Sequence, residues 1–99
     1  MRQVVWSQSA QDDYLEILRH IAIDDPIAAE RVVDAIAKAG QGLGEFATGH
    51  PGRVSGTYEK SIPRLPYIIA YCLADSDRTV AILRVIHTAR DWNEDGWPD

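Results

Sequence analysis

The chain has 99 residues, a formal net charge of −5 at pH 7, 45% hydrophobic and 25% charged side chains. That length gives one domain with a modest core, and the apolar share excludes disorder as the main state. The negative charge argues against a protein that coats nucleic acid, which needs lysine and arginine in excess.

Gln3–Trp6 (QVVW) reads as a short strand. Ser7 or Ser9 can cap the helix that follows. Ala10, Tyr14, Ile17, Leu18 and Ile21 recur at helical spacing, with Asp12, Asp13, Glu16 and Arg19 off that stripe. Asp12 and Asp13 are expected in the first turn, where the helix dipole favours anions. At DDP, Asp25 caps a second helix and Pro26 takes its first position, since proline has no N–H to leave unpaired there. Ala29, Val32, Val33, Ile36, Ala39 and Leu43 form its stripe, and Gly40, Gly42 and Gly44 end it. So short a connection makes the two helices an antiparallel hairpin.

Thr48–Gly52 reads as a loop. Residues 52–63 then read as two short extended pieces around Gly56, with Val54, Tyr58, Lys60 and Ile62 on one parity and Glu59 and Ser61 on the other. Pro63 and Pro66 mark a bend or an edge. Tyr67–Ala74 (YIIAYCLA) is apolar on both parities, the pattern of a buried central strand. Its Cys72 is the only cysteine, so no internal disulfide and no cysteine-based metal site can form. Asp75–Arg78 is a turn, and Thr79–His87 is the returning strand. The expected fold is α+β over residues 1–99: an N-terminal strand and a helical hairpin packed on one face of a small antiparallel sheet, ending in an acidic, tryptophan-containing tail at 91–99. The N-terminus lacks the apolar segment of a signal peptide, and no run approaches the ~18 apolar residues that span a bilayer. A cytoplasmic protein with no membrane partner is expected.

The charge is unevenly placed. Residues 1–50 carry four basic and eight acidic side chains, residues 51–90 six and three, and the last nine none and four. The locally basic half suits an acidic partner or a short piece of nucleic acid. Within it, RVIHTARDW (Arg84–Trp92) gathers the candidate chemistry. His87 could protonate a leaving alkoxide in RNA cleavage, or simply bond a carbonyl at a strand end. In a regular strand Arg84 shares parity with Val80, Ile82 and Ile86, and His87 with Leu83 and Val85, so the two face opposite ways unless the strand bulges or ends between them. Arg84 interrupts an apolar run and needs a carboxylate, carbonyls or a ligand; Asp12 or Glu16 are possible mates if it faces the helices, and Asp91 could pair with it or with Arg90. Arg53, Arg64, Arg84 and Arg90 make the basic side, and Trp92 is either a lid or a landing site for another chain. The three histidines are scattered, and neither a metal-ligand set nor a phosphate-cradling glycine loop appears, so no cofactor and no metal are expected.

Trp6-Ser7 followed by Ala10 and Asp13, the DDPIAAERVV helix start, Gly52-Arg53, PYIIAY at Pro66–Tyr71 and RVIHTARDW together resemble the RelE/ParE superfamily of bacterial toxins. The resemblance covers nearly the whole chain. It implies the toxin half of a type II toxin–antitoxin module, silenced in a hetero-oligomer by a cognate antitoxin. RelE-like members cut mRNA in the ribosomal A site, and ParE-like members poison DNA gyrase. The nuclease branch carries lysines on the strand matching Tyr58–Ile62 and an arginine just after the next strand's tyrosine. This chain has Glu59, Ser61 and Ile68 there, which cannot stabilise phosphorane charge. The expectation is therefore a gyrase-binding toxin without chemistry of its own, using Arg53, Tyr58, Arg64, Arg84, His87, Arg90 and Trp92 to grip target or antitoxin. The alternatives are an mRNA endonuclease using Arg84 and His87, supported by Tyr58 or Tyr67, and a non-toxic binding module of the same fold.

Overall fold

Ser7 separates the first strand from the first helix: its Oγ accepts the backbone N–H of Ala10 at 3.0 Å, which fixes the cap. A computed structural model describes residues 1–89; Arg90, Trp92 and the acidic segment 91–99 lie outside them. In chain order the elements are β1 (Gln3–Trp6), α1 (Gln8–Ala22), α2 (Pro26–Gly42), β2 (His50–Pro51), β3 (Tyr58–Ser61), β4 (Tyr67–Ala74) and β5 (Thr79–His87). Asp25 caps α2 by accepting the N–H of Ala28 at 3.0 Å, with Pro26 in the first turn, as the sequence predicts.

The sheet order is β1-β5-β4-β3-β2, which puts the apolar β4 in the centre. β2 to β5 pair antiparallel, but β1 lies parallel to β5, so the sheet is mixed rather than wholly antiparallel. The helical hairpin carries the chain from β1 to the far edge, and the β2–β5 meander returns to β1's side in β1's own direction.

The core joins Ala10 of α1 and Ile36 of α2 to Ile69 and Tyr71 of β4 and Val80 and Ile82 of β5. Each fully buried Ile contributes about 1.5–3 kcal/mol against leaving it in water. Gly40 does not end α2 but sits inside it, where Trp6 crosses: a Cβ there would lie 2.5 Å from Trp6 Cζ2. On the other side of β4, the Tyr71 hydroxyl accepts the N–H of Gly49 at 3.0 Å and its ring stacks on Tyr58, centroids 5.6 Å apart. That anchor holds the segment after α2 to the sheet.

Three further expectations are corrected. His50–Pro51 is not loop but a two-residue strand paired to Tyr58 and Glu59. Residues 53–56 are bend and turn, so the extended stretch around Gly56 has only its second piece, because Gly52 and Thr57 close a tight loop (Gly52 N–H to Thr57 O, 2.8 Å). Asp12 and Asp13 lie beyond the first turn of α1, which starts one residue after Ser7.

Candidate functional site

β5 carries an irregularity that decides where its polar residues go. Ile82 pairs with Tyr71, yet Arg84 pairs with the next residue along, Ala70, so Leu83 is an extra residue. This bulge resets the alternation. Val80, Ile82 and then Val85 reach the core, instead of Val80, Ile82 and Arg84. Because the bulge lies before Arg84 and not between Arg84 and His87, it does not bring those two onto one parity.

β1 ends its pairing at Trp6 opposite Ile82, so the β5 edge beyond has no strand beside it. Side chains of the Ser7–α1 region serve it instead. Ser7 Oγ donates to Leu83 O at 2.9 Å. Asp13 Oδ2 accepts the Val85 N–H at 3.0 Å. The same carboxylate takes the Arg84 fork, Nε at 2.7 Å and Nη2 at 3.0 Å. The pair is largely out of water, with side chains 24% and 10% exposed for Arg84 and Asp13. The hydrogen bond to Asp13 raises the guanidinium's proton affinity above its ordinary value, against burial, with a further push from the charges of Asp13 and Glu16. Asp13 is thus the mate of Arg84, in place of Asp12 or Glu16. The spacing carries its signal: Asp13 is three residues after Ala10 and four before Ile17, on the buried stripe rather than off it.

His87 pairs with Tyr67, and the two rings meet edge to face with centroids 5.3 Å apart. Its Nδ1 accepts the N–H of Ala89 at 3.0 Å, so the remaining proton sits on Nε2. Both rings line a hollow of about 490 Å³ between α1 and the β4–β5 pair. Ile17 and Val85 line it too, and Asp13, Glu16 and His20 add polar groups from α1. Burial pushes the Tyr67 phenol up from its ordinary value.

The other predicted residues stand elsewhere. Arg53 is in the bend after β2 and Tyr58 opens β3, while Arg64 is in the turn between β3 and β4, beyond the other end of β3. Arg64 is exposed and adopts the left-handed conformation, φ 67°. Arg53 is committed in part: Glu59, buried at 4% exposure, accepts its backbone N–H at 2.8 Å and faces its guanidinium at 3.5 Å. Among the described residues no group of three or more His, Cys, Asp and Glu could hold a metal ion. None of their helices is long and apolar enough to cross a membrane.

Two helices on one face of this five-stranded mixed sheet define the RelE/ParE toxin fold. The chain superposes with TM-score 0.80 on a structure of the chromosomal ParDE toxin–antitoxin system of P. aeruginosa, 23% identical, over 88% of this chain and 96% of that one. It is 39% identical to the Sinorhizobium fredii protein Y4kP over 92% of this chain and 93% of that protein. Toxin RelE2 of Caulobacter vibrioides is 34% identical over 91% and 99% of the two chains. Residues 4–92 match the family described as the ParE toxin of the type II toxin–antitoxin system parDE. The chain belongs to that family, and it is the toxin component of a type II toxin–antitoxin module.

Proposed function

We propose that this toxin arrests growth by binding DNA gyrase in the cytoplasm, does no chemistry of its own, and is silenced by a cognate antitoxin. Membership of the ParE family supports the target. The observation that carries the non-enzymatic reading is the Asp13–Arg84 fork. A phosphodiester-cleaving site needs its arginine aimed at phosphate oxygens. Here the guanidinium is spent on a carboxylate, and His87 looks into a hollow that also holds Asp13 and Glu16. With Asp13 paired to Arg84, the charge of Glu16 repels RNA phosphate rather than stabilising it.

Exposed Arg64 and half-exposed Arg53 remain to meet the target, and the family's antitoxin would cover the sheet's open edges and the basic half with an acidic segment. A supercoiling assay tests the target: excess toxin should halt supercoiling by purified gyrase and leave broken DNA. Undiminished supercoiling, together with codon-phased cuts in transcripts by primer extension, would replace this reading with the nuclease.

A further inference from the structure

The hollow between α1 and the β4–β5 pair has a sign opposite to that of the chain's basic half. Among the described residues its carboxylates come from Asp13 and Glu16, and no lysine or arginine lines it. Asp13 is answered by Arg84. Glu16 is exposed and makes no hydrogen bond or ion pair with the described residues, although its charge is felt at Arg84. Among the described residues, one negative charge is therefore left over at the mouth. The walls are Ile17, Val85 and the Tyr67 ring, apolar surfaces that suit a methylene stem. His87 adds a second ring, set edge-on to Tyr67 at 86°.

From this arrangement we propose that the hollow receives one arginine side chain of the antitoxin, its stem along Ile17 and Val85, its guanidinium on Tyr67 and forked to Glu16. Arginine suits it better than lysine because a planar guanidinium both stacks on a ring and bonds a carboxylate through two N–H groups. At about 490 Å³ the space admits the side chain with accompanying water. The inference rests on the toxin–antitoxin reading and adds that a largely acidic antitoxin segment must carry a basic residue at this point.

The test has two parts. First, the ¹⁵N-labelled full chain is titrated with N-acetyl-arginine amide, then with inorganic phosphate. Arginine amide should shift the Ile17, Val85 and Ala89 amides saturably at millimolar concentration, and Glu16→Gln should weaken this severalfold. No saturable shift, or an equal response to phosphate, overturns the proposal. Second, calorimetry with the antitoxin should show about tenfold weaker binding for Glu16→Arg, against no change for Asp34→Arg on the exposed face of α2. Equal affinities would remove the antitoxin as occupant, and self-association of the free toxin abolished by Glu16→Arg would assign the hollow to a second copy. Growth arrest by the unmodified chain is scored separately. Arrest without arginine binding sinks this inference alone; arginine binding without arrest sinks the toxin reading and leaves the hollow a cation receptor.

Discussion

Asp13 closes the unpaired edge of β5 by accepting three hydrogen bonds, two from the Arg84 guanidinium and one from the Val85 backbone. It ties α1 to the sheet where β1 has run out. Asp13→Ala takes a carboxylate away from a largely buried guanidinium and removes the acceptor of the Val85 N–H. We expect a loss of about 2–4 kcal/mol, below the full cost of breaking a buried pair because Arg84 keeps some water. Urea unfolding measures it. The double variant Asp13→Leu, Arg84→Met should recover part of the loss, since no charge is then stranded.

The helix–sheet contact at Gly40 gives a second prediction. A methyl there would overlap Trp6 and sit 3.0 Å from Ile82 Cδ1. Gly40→Ala gains up to ~1 kcal/mol of helix propensity but costs about 1–3 kcal/mol in overpacking, so a net loss is expected. If the Trp6 contact is the cause, adding Trp6→Phe should reduce the penalty that Gly40→Ala imposes. A double-mutant cycle in guanidinium chloride reads the coupling.

The elements were largely legible, because their signals are local. β1, β4 and β5 match the residue pattern at both ends, as do the caps at Ser7 and Asp25. The parallel entry of β1 was not legible, since strand direction depends on where the meander ends. The site was read less well for one reason: the bulge at Leu83. An extra residue leaves no mark in hydrophobic alternation, yet it turns Val85 into a core residue and moves Arg84 out of the core parity. The role of Asp13 could be found only by setting two distant segments together, residues 71 apart. Glu59 shows the same limit: its parity with Ser61 gives no sign of burial, yet it is buried against the backbone of Arg53.

Cys72 makes a third prediction, on alkaline pH. Burial raises its thiol above the ordinary value of 9.0. The unfolded chain therefore gives up this proton first. The stabilising contribution is complete below that ordinary value and disappears as pH rises through the native one. Tyr67 acts with the same sign above its ordinary value of 10.0. The Tm of the unmodified protein should fall relative to Cys72→Ala as pH rises through and above the ordinary thiol value of 9.0. A constant difference across that rise would show the thiol to be uninvolved.

His87 provides the sharpest separation of gyrase binding from RNA cleavage. A general acid contributes about 10²–10⁴ in rate, so its removal from a nuclease would abolish growth arrest at ordinary expression. A protein that only binds its target has no such step to lose. The substitution must spare the fold, since His87 Nδ1 accepts the Ala89 N–H and the ring rests on Tyr67. Glutamine keeps a side-chain acceptor, and the thermal melt should move by no more than about 1 kcal/mol equivalent. With folding intact, we expect His87→Gln to arrest growth and inhibit supercoiling within about threefold of the unmodified chain, a change far smaller than loss of an acid catalyst would produce. Primer extension should find no codon-phased cuts in either strain. Cuts that vanish with the imidazole, alongside a loss of arrest, would make His87 the acid of a nuclease whose cations lie outside the described residues.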